Sequence, residues 1–312
     1  MSCFLGIDTS NYTTSAALYR AETGEVLSEK KLLPVREGEV GLRQSDAVFH
    51  HVKQLPDIIA RLFARECEKI GAVGVSARPR DVEGSYMPCF LVGELSATSV
   101  ASALHVPLYS FSHQAGHIMA AVFSSGQKTL IERPFLAFHI SGGTTECLLI
   151  RPDPERIFDI TLMATSLDLK AGQAVDRVGH LLGLSFPAGP QLEELALRWR
   201  EPVRVRSTMK GADCCLSGVE NQCRQLLSKG APPEQVARYC IEAVGTAVMG
   251  MADAVLSQVG QLPILCAGGV MSNSIIRDAM QKRYGAFFAA PAFSSDNACG
   301  TAILTSMKAV KP

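Results

Sequence analysis

The sequence has no excess of either charge. Thirty Lys and Arg residues balance 30 Asp and Glu residues in a chain of 312, so the formal net charge is zero. A protein without a net field does not attract polyanions over its whole surface, and any contact with a nucleic acid then needs a local patch or a partner. Low-complexity segments are also missing, and 47% hydrophobic against 19% charged residues excludes general disorder.

Export and membrane signals are missing as well. No uninterrupted apolar run approaches the roughly 20 residues of a membrane span. The first ten residues, MSCFLGIDTS, lack the basic region and the long apolar core of a signal peptide. The ten cysteines form no CxxC pair and mostly lie within apolar runs, which is typical of buried thiols in a reducing compartment. We therefore expect a cytoplasmic protein that makes no contact with a membrane.

Residues 135–150, FLAFHISGGTTECLLI, form the most informative stretch. An apolar run ends at Ile140, the small polar turn Ser141–Thr145 follows, and a second apolar run begins at Cys147, which predicts a β-hairpin. Glycines let a backbone approach an anion closely, and exposed N–H groups in such a turn can hold a phosphate. An ordinary tight turn is the alternative, and two adjacent glycines alone do not distinguish the two interpretations.

The same design occurs twice more in the chain. Residues 3–19 have an apolar run, a polar turn from Asp8 to Ser15 and a second apolar run, and residues 262–273 run from an apolar strand into Gly268-Gly269. Three such junctions predict an internally duplicated α/β protein with a ligand between its halves, since ligands bind at strand ends in open α/β sheets. This pattern resembles the actin, sugar-kinase and heat-shock-chaperone ATPase superfamily, whose two domains enclose a nucleotide cleft.

The length and the hydrophobic periodicity divide the chain further. A chain of 312 residues suits two domains, and we expect an N-terminal α/β domain over 1–111 and a C-terminal one over 112–296. The last helix, 297–312, is expected to pack back on the first domain. The periodicity predicts helices over 46–69, 93–104, 112–123, 170–182, 191–200, 217–228, 233–259 and 273–283. Further strands are predicted over 72–77, 107–111, 157–164 and 287–290.

Two histidines four residues apart form a candidate metal site. His113 and His117 of HQAGH would lie on one face of a helix, the spacing that lets two imidazoles hold one metal ion. A zinc protease would need a glutamate at position 114, and the amide of Gln114 cannot accept a proton as that base does. A pair of capping or core histidines is the alternative. Our choice of third ligand is Asp296 in SSDNA, because two His and one carboxylate leave positions open for a substrate oxygen.

Seven motifs occur in one order along the chain: GIDTS, HQAGH, ISGGTT, AGQAVDR with LLGLSFPAGP, CLSGV, AGGVMSN and SSDNA. Together they resemble the TsaD family, bacterial transferases that complete threonylcarbamoyladenosine on tRNA, over roughly the whole chain. The resemblance implies one Fe²⁺ or Zn²⁺ on His113, His117 and Asp296. It also implies tRNA, a TsaB-like paralogue and a TsaE-like ATPase as partners.

The resemblance further implies a site for ATP or threonylcarbamoyl-AMP. The residues that match the family's adenylate site are His139, Ile140, Ser141, Gly142, Gly143, Asp176, Gly189 and Asn273. Glycine turns suit a phosphate, a carboxylate at 176 suits ribose hydroxyls, and an Asn at a helix start suits a polar contact. Asp8 and Ser10 of the first polar turn are the candidate catalytic residues.

The chain also departs from the family's pattern at several positions. Tyr12-Thr13 stands where the family has an Asp-Glu pair, and Arg78-Pro79-Arg80 stands where it has a Gly-Pro-Gly loop. Thr144 replaces a His and Gln173 replaces a Glu. Arg177 and Glu220 each replace a Lys. Loss of positioned acid or base groups typically costs ~100- to 10,000-fold in rate. The chain is therefore expected to be either a transferase of reduced activity or a nucleotide-binding accessory subunit of the same machinery. The retained ligand triad favours the enzyme, since a scaffold has little use for three metal ligands.

Overall fold

The computed structural model describes residues 2–10, 12–34, 42–65, 69–293 and 298–310. The chain forms two compact units. The first comprises Met1–Gly126, Pro154–Ile157 and Ala292–Pro312, and the second comprises Gln127–Asp153 and Phe158–Pro291.

The first unit is built on a five-stranded mixed sheet. Its strands are β1 (Ser2–Asp8), β2 (Thr13–Arg20), β3 (Glu25–Leu32), β4 (Lys69–Arg78) and β5 (Leu108–Ser112), in the order β3-β2-β1-β4-β5. β1, β2 and β3 pair antiparallel, whereas β4 and β5 continue the sheet in parallel. The hairpin predicted over 3–19 is confirmed. β3 was not predicted, because an edge strand with the sequence EVLSEKKL carries mostly charged or half-exposed side chains and gives little apolar alternation.

Four helices belong to this unit: α1 (Gln44–Phe63), α2 (Phe90–Leu104), α3 (His113–Ser124) and the last helix of the chain, α9 (Ala298–Ala309). α1 is amphipathic and buries Leu55, Ile58 and Leu62 against the sheet. The prediction that its helix continues to Lys69 is wrong, since Lys69 begins β4. α3 lies in the first unit because it packs against α9. The sequence instead predicts a domain boundary at Phe111, which would place α3 in the second domain.

Two glycines allow α9 to lie directly on the sheet. A Cβ at Gly6 of β1 would be 2.3 Å from the Ala298 oxygen and 2.4 Å from the Ala302 nitrogen. A Cβ at Gly74 of β4 would be 1.8 Å from Oγ1 of Thr305. The helix therefore occupies the space that larger residues in these strands would fill.

The second unit repeats the strand arrangement of the first. Its strands are β6 (Phe135–Ile140), β7 (Thr145–Asp153), β8 (Ile157–Thr165), β11 (Ile264–Ala267) and β12 (Phe287–Phe288), in the order β12-β11-β6-β7-β8. β6 and β7 form the predicted antiparallel hairpin, and β11 and β12 extend the sheet in parallel. Each sheet thus has an antiparallel hairpin with a third strand beside it and two parallel strands on the other side, which is the predicted duplication.

The helices of the second unit follow the predicted periodicity closely. They are α4 (Ala171–Leu181), α5 (Gly189–Arg198), α6 (Ser217–Ser228), α7 (Pro233–Val259) and α8 (Ser274–Tyr284). A short hairpin of β9 (Thr208–Lys210) and β10 (Asp213–Cys215) lies between α5 and α6. It was not predicted, because strands of three residues are too short for a periodic signal. α7 is long and apolar enough by composition to cross a membrane, and its buried residues form the centre of this unit's core.

The cysteines also behave as expected from their apolar surroundings. The described cysteines are all free thiols, and all of them except Cys215 are buried. Burial raises the pKa of the Cys214 thiol to about 11, so this thiol stays protonated at neutral pH.

The approach of α9 to β1 gives a testable prediction. We expect Gly6→Ala to lower the free energy of unfolding by about 2–3 kcal/mol, because the added methyl overlaps helix backbone that cannot move without repacking the unit. Gly218→Ala, which adds a methyl in open space within α6, is the control and should be neutral or stabilising by up to about 1 kcal/mol. Urea denaturation followed by circular dichroism measures both, and an unchanged midpoint for Gly6→Ala would contradict the packing.

Candidate functional site

The histidine pair lies at the start of α3. The Ser112 hydroxyl accepts a hydrogen bond from the Ala115 N–H at 3.2 Å and so caps the helix. The ring centroids of His113 and His117 are 4.5 Å apart, as expected for two side chains on one face of the first helical turn. The structure therefore brings the two predicted nitrogen ligands together.

Asp8 holds one of these histidines in place. Its Oδ2 is 2.9 Å from Nδ1 of His113, and its Oδ1 accepts the Ser10 N–H at 2.9 Å. Burial by itself would raise the pKa of Asp8, but the charge and hydrogen bond of His113, with bonds from two serines, lower this pKa to about 2. The carboxylate is thus ionised at neutral pH and accepts the Nδ1 proton of His113. In the neutral ring, this tautomer leaves the Nε2 lone pair for a cation.

The third expected ligand, Asp296, lies outside the described residues. Within the ranges that the structure describes, no three His, Cys, Asp or Glu side chains group as a metal site. The described part of α9 begins at Ala298, and a Cβ at its Gly300 would be only 1.9 Å from the Gly116 oxygen. Because Gly116 lies between the two histidines in sequence, the first turn of α9 contacts the helix that carries them.

The glycine turn after β6 presents unused backbone donors in the second unit. The Ser141 N–H donates to the Thr144 oxygen at 2.7 Å, and the Thr144 N–H donates to the Ser141 hydroxyl at 3.1 Å. Gly142 and Gly143 at the tip are exposed, and no backbone acceptor in the described part of the chain receives their N–H groups. A Cβ at either glycine would meet nothing within 4 Å, so the space above the turn is open.

Two neighbouring elements press against this turn. A Cβ at Gly172, in the first turn of α4, would be 2.6 Å from the Gly142 Cα, and the Gly172 N–H donates to the Ser141 oxygen at 3.1 Å. Gly268, after β11, has φ +100°, and a Cβ there would be 2.2 Å from the Ile140 oxygen. The second glycine junction and the positive end of a helix therefore surround the turn, an arrangement that favours an anion.

The remaining residues predicted to bind the adenylate are linked through α5. Asp176 of α4 accepts the N–H of Ala188, the residue before Gly189 at the start of α5. Further along α5, Glu193 accepts hydrogen bonds from the N–H and the hydroxyl of Ser274, at 2.8 and 2.5 Å. Ser274 follows Asn273, whose Oδ1 accepts two N–H groups of α8 as its N-cap. Asp176, Gly189 and Asn273 thus belong to one hydrogen-bonded neighbourhood of the second unit.

Two of the departures from the family's pattern contact each other. Arg177 lies 3.5 Å from Glu220, which also binds Arg224 at 2.7 Å. The hydrogen bond from Arg224 and the charges of both arginines lower the pKa of Glu220, against a smaller effect of burial. Together with Asp176 and His180, Arg177 and Glu220 line an open groove of about 340 Å³. Exposed ion pairs contribute roughly 0–1 kcal/mol to the free energy of unfolding. The Arg177–Glu220 pair therefore matters more for the charge of the groove, where the family's pattern has two Lys residues, than for the stability of the protein.

Gln173 has a local role that does not depend on its being an amide. Its Oε1 accepts the Lys170 N–H at 3.3 Å and so helps to cap α4. This contact needs an acceptor oxygen, which Gln and Glu both carry, and it does not need a negative charge.

Sequence reasoning missed Asp168, which anchors the start of α6. Its Oδ1 accepts the N–H groups of Leu169 at 2.6 Å and Leu216 at 2.7 Å, and its Oδ2 accepts the Ser217 hydroxyl at 2.6 Å. Burial would raise the pKa of Asp168, but these hydrogen bonds outweigh it and lower the pKa to about 2. No local signal marks this role, because Leu216 is 48 residues away in the sequence.

His51 of α1 was missed as well, since it lies on the buried face of an amphipathic helix among apolar residues. Its Nδ1 is 2.8 Å from the Thr14 hydroxyl, which itself donates to Oε1 of Gln54 at 3.0 Å. Nδ1 is therefore the donor, and Nε2 has no hydrogen-bond partner among the described residues. Burial lowers the pKa of His51 to about 4, so the ring is neutral at physiological pH.

Known proteins resemble this chain over most of its length. The model of the TsaD family, described as tRNA N6-adenosine threonylcarbamoyltransferase, matches residues 26–303. An enzyme of that description from Thermus thermophilus is 32% identical over 299 residues, which cover 90% of this chain and 83% of that protein. The Brucella anthropi enzyme is 30% identical over 94% of this chain and 86% of its own length.

Solved structures confirm the predicted fold class. Component A of (R)-2-hydroxyglutaryl-CoA dehydratase from Acidaminococcus fermentans has a TM-score of 0.60 at 18% identity and covers all of both chains. A ROK family glucokinase from Streptomyces griseus has a TM-score of 0.52 at 13% identity, with 98% of this chain and 99% of that chain covered. At such identities the likeness shows the fold alone, the duplicated actin, sugar-kinase and heat-shock-chaperone ATPase-like fold. With the family match over most of its length, the chain belongs to the TsaD family of tRNA N6-adenosine threonylcarbamoyltransferases.

Proposed function

We propose that this chain transfers the threonylcarbamoyl group from threonylcarbamoyl-AMP to adenosine of tRNA, with one Fe²⁺ or Zn²⁺ per chain. The observation that carries the proposal is the pair His113 and His117 on one helical face, with the buried carboxylate of Asp8 on the first of them. Two unrelated core histidines would not need an ionised carboxylate that fixes the tautomer of one ring.

The residues of the first unit fit a divalent metal. His113 and His117 would supply nitrogen ligands, and Asp296 the carboxylate, two positions before the described start of α9. When bound, such an ion polarises a carbamoyl or phosphate oxygen and stabilises the charge that develops on it. In this proposal, Asp8 orients the ring of His113 through its hydrogen bond to Nδ1. It does not touch the substrate, unlike the catalytic role that the sequence predicts for it. Ser10 supports Asp8 through its N–H.

The residues of the second unit fit the adenylate portion of the donor. The N–H groups of Gly142 and Gly143 and the N-terminal end of α4 would hold the phosphate. Asp176 uses Oδ1 for the Ala188 N–H, which leaves Oδ2 for a ribose hydroxyl. Because Oδ1 of Asn273 caps α8, its amide NH₂ is the group available to the ligand. His139 and Ile140 would serve by ending β6 at the turn.

The partners in this proposal are tRNA, a TsaB-like paralogue and a TsaE-like ATPase, in the cytoplasm. A chain with zero net charge has no global attraction for tRNA, so a partner or a local patch must supply part of that contact. The proposal therefore requires that activity be assayed with the partner proteins present.

Metal content tests the histidine pair. We expect close to one zinc or iron per chain in the purified protein and a large loss in His113→Ala, because one imidazole and a carboxylate hold a divalent ion far less well than the full set. His180→Ala, which removes an exposed imidazole from the second unit, is the matched control and should keep its metal. Elemental analysis that finds equal, negligible metal in all three proteins would contradict the site.

Nucleotide binding tests the glycine turn. Gly142→Val should abolish measurable binding of ATP or AMP, because its side chain fills the open space above the turn that the phosphate would occupy. The thermal midpoint should stay within about 2 °C of wild type, since a Cβ at this exposed position has no protein atom within 4 Å. Isothermal titration calorimetry with an unchanged affinity for the variant would place the nucleotide elsewhere.

Transfer activity tests whether the altered residues have silenced the enzyme. We expect slow, metal-dependent modification that rises by on the order of 100-fold when Tyr12→Asp and Thr13→Glu restore the acidic pair. Tyr12 is exposed and Thr13 begins β2, so both positions tolerate polar side chains. The control is the uncharged pair Tyr12→Asn with Thr13→Gln, which should not raise the rate.

The assay is nucleoside analysis of tRNA after incubation with threonylcarbamoyl-AMP, ATP and the two partner proteins, so that attack by the adenosine amine releases AMP. If the restored variant still forms no modified adenosine, the transferase proposal fails. The nucleotide-binding accessory subunit then takes its place, and the calorimetric test of the glycine turn still applies to it.

A further inference from the structure

Arg78, the last residue of β4, is hydrogen-bonded to Asp81 in the loop that follows the strand. Nε and Nη2 of Arg78 both donate to Oδ1 of Asp81, at 2.9 and 2.5 Å. The Asp81 side chain is only 11% exposed, so its carboxylate needs these charge-assisted bonds more than a surface residue would.

The second oxygen of Asp81 reaches the start of α3. The Ser112 hydroxyl donates to Oδ2 of Asp81 at 2.7 Å. With its proton committed there, the same hydroxyl oxygen is oriented to accept the Ala115 N–H as the helix cap. A chain of hydrogen bonds therefore runs from Arg78 through Asp81 and Ser112 to the backbone of the first helical turn.

The backbone of the loop supports the same turn. The Pro79 oxygen accepts the N–H of Gln114 at 3.1 Å. The first N–H groups of a helix have no partner inside it. Here the Gln114 N–H is satisfied by the loop oxygen of Pro79, and the Ala115 N–H is satisfied by the Ser112 hydroxyl. His113 lies between Ser112 and Gln114, so the residues on both sides of this histidine are bonded to one short segment.

We propose that Arg78 is a positioning residue for the metal site: through Asp81 and Ser112 it sets where α3 begins and so where His113 and His117 face. The inference rests on the proposed metal function. It assigns different roles to the two cations of Arg78-Pro79-Arg80, because the guanidinium that takes part in this chain of hydrogen bonds is that of Arg78. A displacement of the first turn of α3 by about 0.5 Å would spoil the alignment that two imidazoles need to share one ion.

The test measures metal affinity directly. Apo protein is titrated with Co²⁺, and the visible absorption of the bound ion reports both the dissociation constant and the ligand geometry. We expect Arg78→Ala to weaken binding by about 10-fold, the lower end of the effect of losing a direct partner of a metal ligand, because Arg78 acts through Asp81 and Ser112. Arg78→Lys, which keeps the charge and one donor, should weaken binding less. Arg80→Ala removes the same charge from the same loop and should stay within about twofold of wild type, the control for charge alone.

Thermal midpoints recorded on the same apo samples separate positioning from stability. A role in stability alone would lower the midpoint of Arg78→Ala and leave its Co²⁺ affinity and spectrum unchanged, and this result would overturn the proposal. Equal losses of affinity in Arg78→Ala and Arg80→Ala would overturn it too. His113→Ala distinguishes the two levels: if it still binds Co²⁺ like wild type, the metal site itself fails. If it loses Co²⁺ while Arg78→Ala does not, only the positioning role fails.

Discussion

The close backbone packing of α9 is the constraint on which the first unit depends. Glycines at three positions, Gly6, Gly74 and Gly300, let this helix lie against β1, β4 and α3 at distances that a single methyl group would prevent. The packing joins the last helix of the chain to its first strand, so the first unit is complete only when the two ends of the sequence have met. The same contact brings α3 beside β1, and Asp8 at the end of that strand can then reach His113.

Carboxylates that accept several hydrogen bonds organise parts of both units, Asp8 as a buried group and Asp168 as an exposed one. Asp8 and Asp168 each have a pKa of about 2 because hydrogen-bond donors and, for Asp8, a neighbouring imidazole outweigh the cost of burial. Because Asp8 is buried, its charge is tolerated only where its donors are in place, and it therefore selects one arrangement of the elements around it. Asp8 selects the orientation of the histidine helix, whereas Asp168 fixes the start of α6.

The departures from the family's pattern are easier to interpret as structural sets than one by one. Arg177 and Glu220 form an ion pair, so the change at one position is matched by the change at the other. Gln173 keeps the acceptor that a helix cap needs. The Arg78 side chain donates hydrogen bonds to Asp81 at a position where the family's pattern has a glycine loop. These contacts give the altered residues local structural roles in the described part of the chain.

By itself the sequence determined the local elements and the local half of the site. The period of 3.6 residues located α6 and α7 to the residue, and apolar runs joined by short polar turns located both hairpins. The spacing of four residues put His113 and His117 on one face. β3 and the β9–β10 hairpin escaped because edge and very short strands carry no clear alternation. Only the tertiary structure decided that Asp8 meets His113 across 105 residues, since such contacts depend on strand order and helix packing, which no short-range pattern encodes.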